Sequence, residues 1–478
     1  MANVNEHRSR LRYSKIWKKC RDVEEGEDSL HDADLAAYGT YLMPINPTDT
    51  SEENNAKNDA NIKMARFQNY TGVTLSGYMG LVFRMNPKKP RWPETIKYIE
   101  ADVDGAGTDL DQQARKCIFD ALLVGGCGTL VEGPPKAKPG ALSKKDVRNG
   151  ARASIKFYAR EDIIDWSPDN PTAKDPLNFV KLREHFNEIV NGKKEVLERH
   201  IVLVLKDGVY HQDIYQQEKK GGEFVFKRSV DIVDSKGGKF NHIPFEFGNA
   251  VENSPEPDKP VMLDMVNTNL GMYQEDANLR YSSFQYSSGT LVIADESYQR
   301  SLKNNSKVKL GVGNLLALGN GGRAEILVPP PNPLAMDIKK ADREDLVGQG
   351  ARVIIPNGQA ETEETTKAKM GAATSQLTLV VQNISDMYNK QFKNLVKFMG
   401  GEIKDDELYQ INREFFDKKL SSDEMRSLVE TWHAGLISKR EAQTQLQQGG
   451  RIDHETDLEK MNEEIDFQQP AGLELDQE

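Results

Sequence analysis

The chain has 478 residues, about three times the common size of a domain, so two to four compact units are expected. Hydrophobic residues make up 37%, and no run of 18 apolar residues occurs, which excludes a membrane-spanning helix. The segment from Met1 to Arg12 lacks an apolar stretch, so no secretory signal is expected. Three cysteines are too few for a disulfide framework and suit a reducing cytosol.

The net charge of −11 is placed unevenly along the sequence. Residues 401–478 contain 20 acidic and 9 basic side chains, whereas residues 1–400 contain 54 of each. The whole imbalance therefore lies in the last 78 residues. A protein that grips DNA phosphates normally shows a basic excess, so this balance disfavours tight nucleic-acid binding. The acidic end is expected to repel a polyanion.

The first half of the chain is predicted to contain short helices followed by a block of strands. A polar loop is expected over 44–60, then helices over 60–85, 94–100 and 110–124, and an exposed Pro-, Gly- and Lys-rich excursion over 133–152. From 154 to 248, short alternating runs between Gly, Asn and Asp are typical of antiparallel strands and hairpins.

The second half is predicted to be mostly helical. Apolar positions from Met262 to Phe284 recur every three or four residues and predict a helix of about 25 residues beginning near Pro260. Residues 290–330 are strand-like, and further helices are predicted over 334–348, 366–399, 421–434 and 438–448, with a disordered tail after Gln468. The pattern indicates an α+β fold, and both long stripes fit an ordinary helical core equally well.

No catalytic pattern is present in the sequence. The P-loop, the dinucleotide fingerprint, H-E-x-x-H, C-x-x-C and G-x-S-x-G are all missing, so the residues point to a protein that is not an enzyme and needs no cofactor. A weak likeness to a calcium loop is formed by Glu100, Asp102, Asp104 and Asp111. Its first position is Glu and its last is Asp, so we expect no metal there. A turn in which Thr108 or Asp109 caps the next helix is the better interpretation.

Four ordered blocks of sequence, spread over about 41–450, carry a resemblance to a known family. The blocks are Tyr41–Pro44 with Arg66–Thr71 and Gly77–Arg84; Asp104–Leu110 with Leu122–Pro134 and Arg160–Trp166; Met262–Tyr273; and Ala372–Leu377 with Phe416-Asp417, Leu420–Glu424 and Gly435–Ser438. In order and spacing they resemble bacteriophage portal proteins of the podovirus type, a conserved phage family of formerly unknown function.

The resemblance implies a portal-type fold with the following order along the chain: an α/β wing with an N-terminal arm (1–260), a first stem helix (261–288), a β-rich clip (289–333), a second stem helix (334–349), a tunnel loop (350–366), a long helix with a return to the wing (367–416), and a helical crown with an acidic tail (417–478). Residues of the tunnel loop and the start of the long helix would face the DNA: Asn357, Gln359, Glu361, Glu363, Glu364, Lys367 and Lys369. The two lysines are candidates for brief phosphate contacts, and solvated charges at a helix end explain them equally well.

The resemblance also implies a function and a set of partners. Portal proteins form a homo-oligomeric ring, usually a dodecamer, at one capsid vertex of the virion after assembly in the host cytoplasm. The implied partners are the terminase large subunit, which pumps double-stranded DNA through the ring, a head–tail adaptor protein, and the major capsid and scaffolding proteins, with no membrane involved. A balanced charge suits a conduit that must not grip its cargo. A metal-dependent hydrolase or nuclease, or another head–tail connector component, remains the alternative.

Overall fold

The computed structural model describes residues 6–37, 41–42, 61–134, 151–172, 174–190, 193–287, 290–294, 321–327, 333–349, 363–404, 408–415, 422–448 and short pieces between 451 and 462. The predicted loop over 44–60, most of the excursion over 133–152 and the tail after Gln468 lie outside these residues. The chain divides into two units, Met1–Ile411 and Asn412–Glu478.

The first unit begins with helices that the sequence patterns did not reveal. Helices α1 (Arg8–Glu25) and α2 (Glu27–Ala37) are separated by Gly26, whose positive φ ends α1. The single helix predicted over 60–85 is wrong. A short helical stretch over 61–64 is followed by a break and by α3 (Tyr70–Val82), because the Asn69 side chain accepts the Gly72 N–H at 2.7 Å and starts a new helix.

The next predicted helices are confirmed in one case and wrong in the other. Residues 94–100 form only a short 3-10 turn, Lys97–Glu100. The helix predicted over 110–124 is confirmed as α4 (Leu110–Val124), with Asp109 as its N-cap and Gly125 in the left-handed region at its end.

The predicted strand region forms two antiparallel sheets. The central sheet has the order β2–β1–β8, and the second sheet is a meander of β3 to β7. Their strands are β1 (Gly126–Glu132), β2 (Ser154–Ala159), β3 (Ile163–Ser167), β4 (Phe179–Val190), β5 (Lys193–Lys206), β6 (Val209–Gln217), β7 (Phe224–Asp231) and β8 (Phe245–Asn249). Strand β1 is buried along most of its length, so the central sheet lies in the core of the first unit.

The second half of the first unit is mostly helical, as predicted. It contains helices α5 (Leu263–Ser287), α6 (Pro333–Gly348) and α7 (Glu363–Met399), with strands β9 (Thr290–Ala294) and β10 (Arg323–Leu327) between the first two. The second unit contains α8 (Ser422–His433) and α9 (Lys439–Gln448), which pack against each other. The fold class is α+β, as the sequence predicts.

Candidate functional site

The segment that the resemblance assigns to the stem and clip is an antiparallel helix pair joined across a β-hairpin. Helices α5 and α6 pack together, and β9 pairs with β10 from Thr290 opposite Leu327 to Ala294 opposite Arg323. At one end of the pair, the Gln349 side chain donates to the Thr268 hydroxyl at 3.2 Å. The ends of the helices that lead into the hairpin therefore lie at the opposite end of the pair.

A buried carboxylate fastens the helix pair at its middle. Asp276 on α5 accepts a hydrogen bond from Lys339 Nζ on α6 at 2.6 Å and another from Arg280 one turn further along α5. The backbone N–H of Arg66 also donates to Asp276, at 3.1 Å. Burial alone raises the pKa of Asp276, but these bonds outweigh it and hold the pKa below the usual value. Asp276 is therefore ionised at neutral pH and joins α5, α6 and the chain near α3.

The stripe predicted along α5 is buried only in part. Met262, Val266, Tyr273 and Ala277 lie in the core, but Phe284 is 58% exposed. Leu334 and Met336, at the start of α6, are each 66% exposed. Exposed large apolar side chains thus collect where the helix pair leads into the hairpin. We call this set, with Ile338, the stem apolar patch.

The long helix α7 is built into the core by its C-terminal half. All seven positions of its predicted stripe are buried: Leu377, Val381, Ile384, Tyr388, Gln391, Leu395 and Phe398. The helix lies so close to β8 that a Cβ on Gly248 would stand 2.6 Å from Met387 Sδ and 2.8 Å from Ile384 Cδ1. Asn383 Nδ2 donates to the Asn249 carbonyl at 3.1 Å, and Asn253 Nδ2 donates to the Asn383 carbonyl at 2.7 Å. The hydrogen bonds therefore hold α7 in a fixed register on β8.

The predicted DNA-facing residues fall at the other end of α7. The helix begins at Glu363, three or four residues earlier than predicted, because Glu363 to Lys369 continue the helical backbone. Glu363 and Glu364 thus lie in its first turn and not in a loop, and Lys367 and Lys369 lie in the second. Asn357, Gln359 and Glu361 lie outside the described residues.

Residues 261–399 match a protein family described as "Domain of unknown function (DUF4055)". The match begins two residues before α5 and ends at Met399, the last residue of α7. It covers less than a third of the chain and corresponds to the helix pair, the hairpin and the long helix as one segment. No curated protein matches the chain. Among the described residues, no helix is both long and apolar enough to cross a membrane.

The calcium-like loop is stabilised by its own carboxylates. Asp102 Oδ1 accepts the N–H groups of Gly105 and Gly107 at 2.8 and 3.0 Å, and Asp104 Oδ1 accepts that of Ala106 at 2.8 Å. Asp109 Oδ1 accepts the Gln112 N–H at 2.7 Å, so the predicted capping role belongs to Asp109.

The outer members of the calcium-like pattern point elsewhere. Asp111 pairs with Lys89 Nζ at 3.0 Å and accepts from Tyr409 OH at 3.1 Å. Glu100 ends the 3-10 turn. The four carboxylates of the pattern do not form a metal-binding group among the described residues.

One group of potential metal ligands does come together in the described part of the chain: His7, Asp169 and Glu256. His7 Nδ1 accepts the Ser9 N–H at 3.3 Å and so caps α1, which leaves Nε2 to carry the proton and donate to Asp169 Oδ1 at 3.1 Å. The His7 ring also stacks on Trp166 at 3.9 Å between ring centroids. Both ring nitrogens are already engaged, so the group acts as an anchor for the start of α1.

Two arginines that are held by contacts inside the protein, the half-buried Arg21 and the buried Arg160, were not visible from the sequence. Arg21 on α1 bonds to Asp120 Oδ1 on α4 at 2.7 Å and to Glu161 Oε1 at 2.9 Å. Burial raises the pKa of Asp120 to about 6 in spite of the bond from Arg21. Arg160 is fully buried, lies over the rings of Trp166 and Phe247, and donates to the Pro255 carbonyl. Burial lowers its pKa to about 10. Nothing in a charge count separates such buried charges from solvated ones.

Proposed function

We propose that this chain is a subunit of a phage portal, a ring with an axial channel through which DNA is packaged and later ejected. The observation that carries the proposal is the order of elements over 261–399: a helix, a β-hairpin, a returning helix and then a long helix seated in the body. This is the order that the resemblance implies for a stem, a clip and the helix behind the tunnel loop. The family match covers the same segment.

The stem apolar patch supports assembly. Phe284, Leu334 and Met336 are more than half exposed in the single chain, at the end of a helix pair that carries many charges. Concentrated exposed apolar surface on a folded protein marks a contact with another molecule. In a ring each copy presents one surface to the next, so such a patch is covered by the neighbour.

The charge pattern supports a conduit for DNA. Residues 1–400 have no net charge and residues 401–478 have a net charge of −11. Each firm phosphate contact adds salt-sensitive affinity and resists sliding. A bore lined by balanced or acidic surface therefore lets duplex DNA pass. In this role the protein is not an enzyme, and the terminase large subunit supplies the work.

The proposal includes the partners and the place of action given by the resemblance. The ring stands at one vertex of the virion after assembly in the host cytoplasm, surrounded by major capsid and scaffolding proteins. A head–tail adaptor protein binds the clip. Asn357, Gln359, Glu361, Glu363, Glu364, Lys367 and Lys369 face the DNA that moves through the channel.

Particle size tests the proposal directly. Light scattering and negative-stain imaging of the full chain are expected to show a ring with a central hole, and twelve copies of the 53.7 kDa chain give about 640 kDa. A compact monomer with metal-dependent turnover would favour the hydrolase or nuclease instead. A closed ring that supports neither packaging nor ejection would favour another connector component.

Variants separate the ring from its channel. Met336→Glu with Leu334→Glu places charge in the stem apolar patch and is expected to release monomers of unchanged helix content. Val251→Glu, at a site that is 59% exposed outside the patch, is the matched control and is expected to keep the ring.

A deletion of residues 355–362 tests the assigned tunnel loop. It ends before α7 begins and is expected to preserve the ring while impairing DNA packaging or retention. Loss of the ring on that deletion would contradict the assigned tunnel loop.

A further inference from the structure

Helix α1 concentrates positive charge that the whole-chain balance conceals. The segment from Arg8 to Arg21 contains seven lysine or arginine residues and no acidic residue. Because residues 1–400 sum to zero, this local excess is invisible in the composition. The position of each charge on the helix decides which of the seven are free to meet a ligand.

Two of the seven basic side chains are used inside the protein. Arg10 is buried, pairs with Glu6 and donates from Nη2 to the Glu161 carbonyl at 3.0 Å. Arg21 is held by Asp120 and Glu161. Trp17 and Cys20 on the same inner side of the helix are also buried. These contacts fix the orientation of α1, so its outer face is presented by a rigid element.

Four of the remaining basic residues form one outer face. Arg8, Arg12, Lys15 and Lys19 follow one another at spacings of four, three and four. At 100° per residue these positions lie within a wedge of about 60°, and they extend about 16 Å along the helix. We call these four residues the α1 basic face.

The α1 basic face is weakly compensated. Arg8 is 85% exposed and has one contact, with the half-exposed Asp169 at 3.3 Å. Lys19 Nζ bonds to a neutral amide, Asn267 Oδ1, at 2.6 Å. In the described part of the chain, no carboxylate forms an ion pair with Arg12 or Lys15. The fifth exposed residue, Lys18, is paired with Asp22 at 2.6 Å and lies beside the face.

We propose that the α1 basic face binds the phosphate backbone of duplex DNA without reading its sequence. Each strand of a duplex presents one phosphate about every 3.4 Å along its axis, so a 16 Å face meets about five phosphates. Four cations on one rigid helix face match that density. Phosphate contacts position a protein without carrying sequence information, so duplexes of different sequence are expected to bind with similar affinity.

Other polyanionic surfaces fit the face less well. A helix that lies on a membrane needs an exposed apolar side opposite its basic side, but the opposite side of α1 is occupied by the body through Trp17, Cys20 and Val23. Leu11 is the only large apolar residue exposed on this helix, so α1 offers too little apolar surface for the core of a protein interface. The four residues of the face all lie on one helix of a single chain, so the proposal does not rest on the formation of a ring.

Fluorescence anisotropy of a labelled 24-base-pair duplex with the full chain tests the proposal. Four phosphate contacts predict a slope of about −3.6 for the logarithm of affinity against the logarithm of salt concentration, or roughly a hundredfold loss from 50 to 200 mM salt. The variant Arg12→Gln/Lys15→Gln removes two charges that form no ion pair with any residue that the structure describes, and it is expected to reduce the slope by about two. Adding Arg8→Gln and Lys19→Gln is expected to abolish the slope.

A matched variant controls for net charge. Lys219→Gln, Lys220→Gln, Lys227→Gln and Arg228→Gln remove four positive charges around the β6–β7 hairpin and are expected to keep the slope and the affinity within about twofold. Equal losses in both variants would overturn the proposal, as would binding that is insensitive to salt. Displacement of DNA by polyglutamate at equal charge concentration, or binding to phosphatidylserine vesicles but not to duplex, would also overturn it. Light scattering on the same samples reports the ring separately.

Discussion

Gln391 on the long helix and Thr129 on the central strand form a buried contact that links the two elements. Gln391 Nε2 donates to the Thr129 carbonyl at 2.6 Å and to its hydroxyl oxygen at 3.0 Å. Asn394 Nδ2 donates to Gln391 Oε1 at 3.1 Å, and His242 Nε2 lies 2.9 Å from Asn394 Oδ1. A polar chain thus crosses the apolar contact between α7 and the central sheet and fixes their register.

Replacement of Gln391 by Leu is expected to destabilise the first unit by about 2 to 3 kcal/mol, because it leaves the buried groups of Thr129 and Asn394 without their partner. Chemical denaturation measures the loss. Gln382→Leu makes the same change at an exposed position of the same helix and is expected to alter stability by less than about 0.5 kcal/mol. A loss as large in Gln382→Leu would show that helix propensity, and not the buried contact, decides the effect.

The buried His200 ring is expected to make the folded protein less stable in mild acid. The ring is 3% exposed and stacks on Phe224 at 3.7 Å, and burial, followed by the charges of Lys181, Arg183 and Arg10, lowers its pKa to about 4. The folded state therefore disfavours the protonated ring. Its contribution is fully present above pH 6.5 and is lost as the pH falls towards 4, by up to about 3 kcal/mol.

Denaturation of the wild type and of His200→Gln at pH 7 and pH 4.5 tests this contribution. The variant is expected to lose less stability on acidification than the wild type. His185→Gln removes a histidine whose side chain is 49% exposed and is expected to leave the wild-type pH dependence unchanged. If His200→Gln loses as much stability between pH 7 and pH 4.5 as the wild type does, the buried His200 ring does not cause the acid sensitivity.

Gly125 is expected to tolerate no side chain. It has φ of 89°, and a Cβ would stand 2.3 Å from the Asp258 carbonyl oxygen. Gly125→Ala is therefore expected to cost several kcal/mol and to displace the chain that leads into α5. Gly107 has a similar φ of 92° but faces open space, so Gly107→Ala is expected to cost only about 1 kcal/mol. Thermal unfolding of the two variants separates the close approach from backbone strain.

Much of the fold follows from periodicity, and the differences have local physical causes. The stripe from Leu377 to Phe398 predicted the buried face of α7 because burial enforces the 3.6-residue period. The break before α3 was missed because it depends on one capping side chain, Asn69. Helix α1 was missed because its basic residues dilute its apolar positions, although Trp17, Cys20 and Val23 are buried.

The candidate site was predictable as a segment but not as a surface. The order of helix, strands, helix and long helix could be read from spacing alone. The ion pair between Asp276 and Lys339 could not be predicted from the sequence, because the two residues lie 63 positions apart and only packing brings them together. The α1 basic face was hidden for the opposite reason, since a charge count over 400 residues averages out a local excess.

Removal of the Asp276 carboxylate is expected to loosen the packing of α5 against α6, because this carboxylate pairs with Lys339 across the two helices. Asp276→Ala is expected to destabilise the pair by about 2 to 4 kcal/mol, because Lys339 and Arg280 lose a partner that is 7% exposed. The pKa of Asp276 is held below its usual value, so the stability that its carboxylate contributes is present above pH 3.8 and is lost as the pH falls through the lowered pKa.

A double-mutant cycle of Asp276→Ala with Lys339→Met, read by hydrogen exchange of α5 and α6, measures the interaction energy between the two side chains. Asp264→Ala, which removes an exposed ion pair with Lys259 near the start of α5, is the control and is expected to change exchange little. Additive effects of Asp276→Ala and Lys339→Met would mean that the two residues stabilise the helices separately and do not interact with each other.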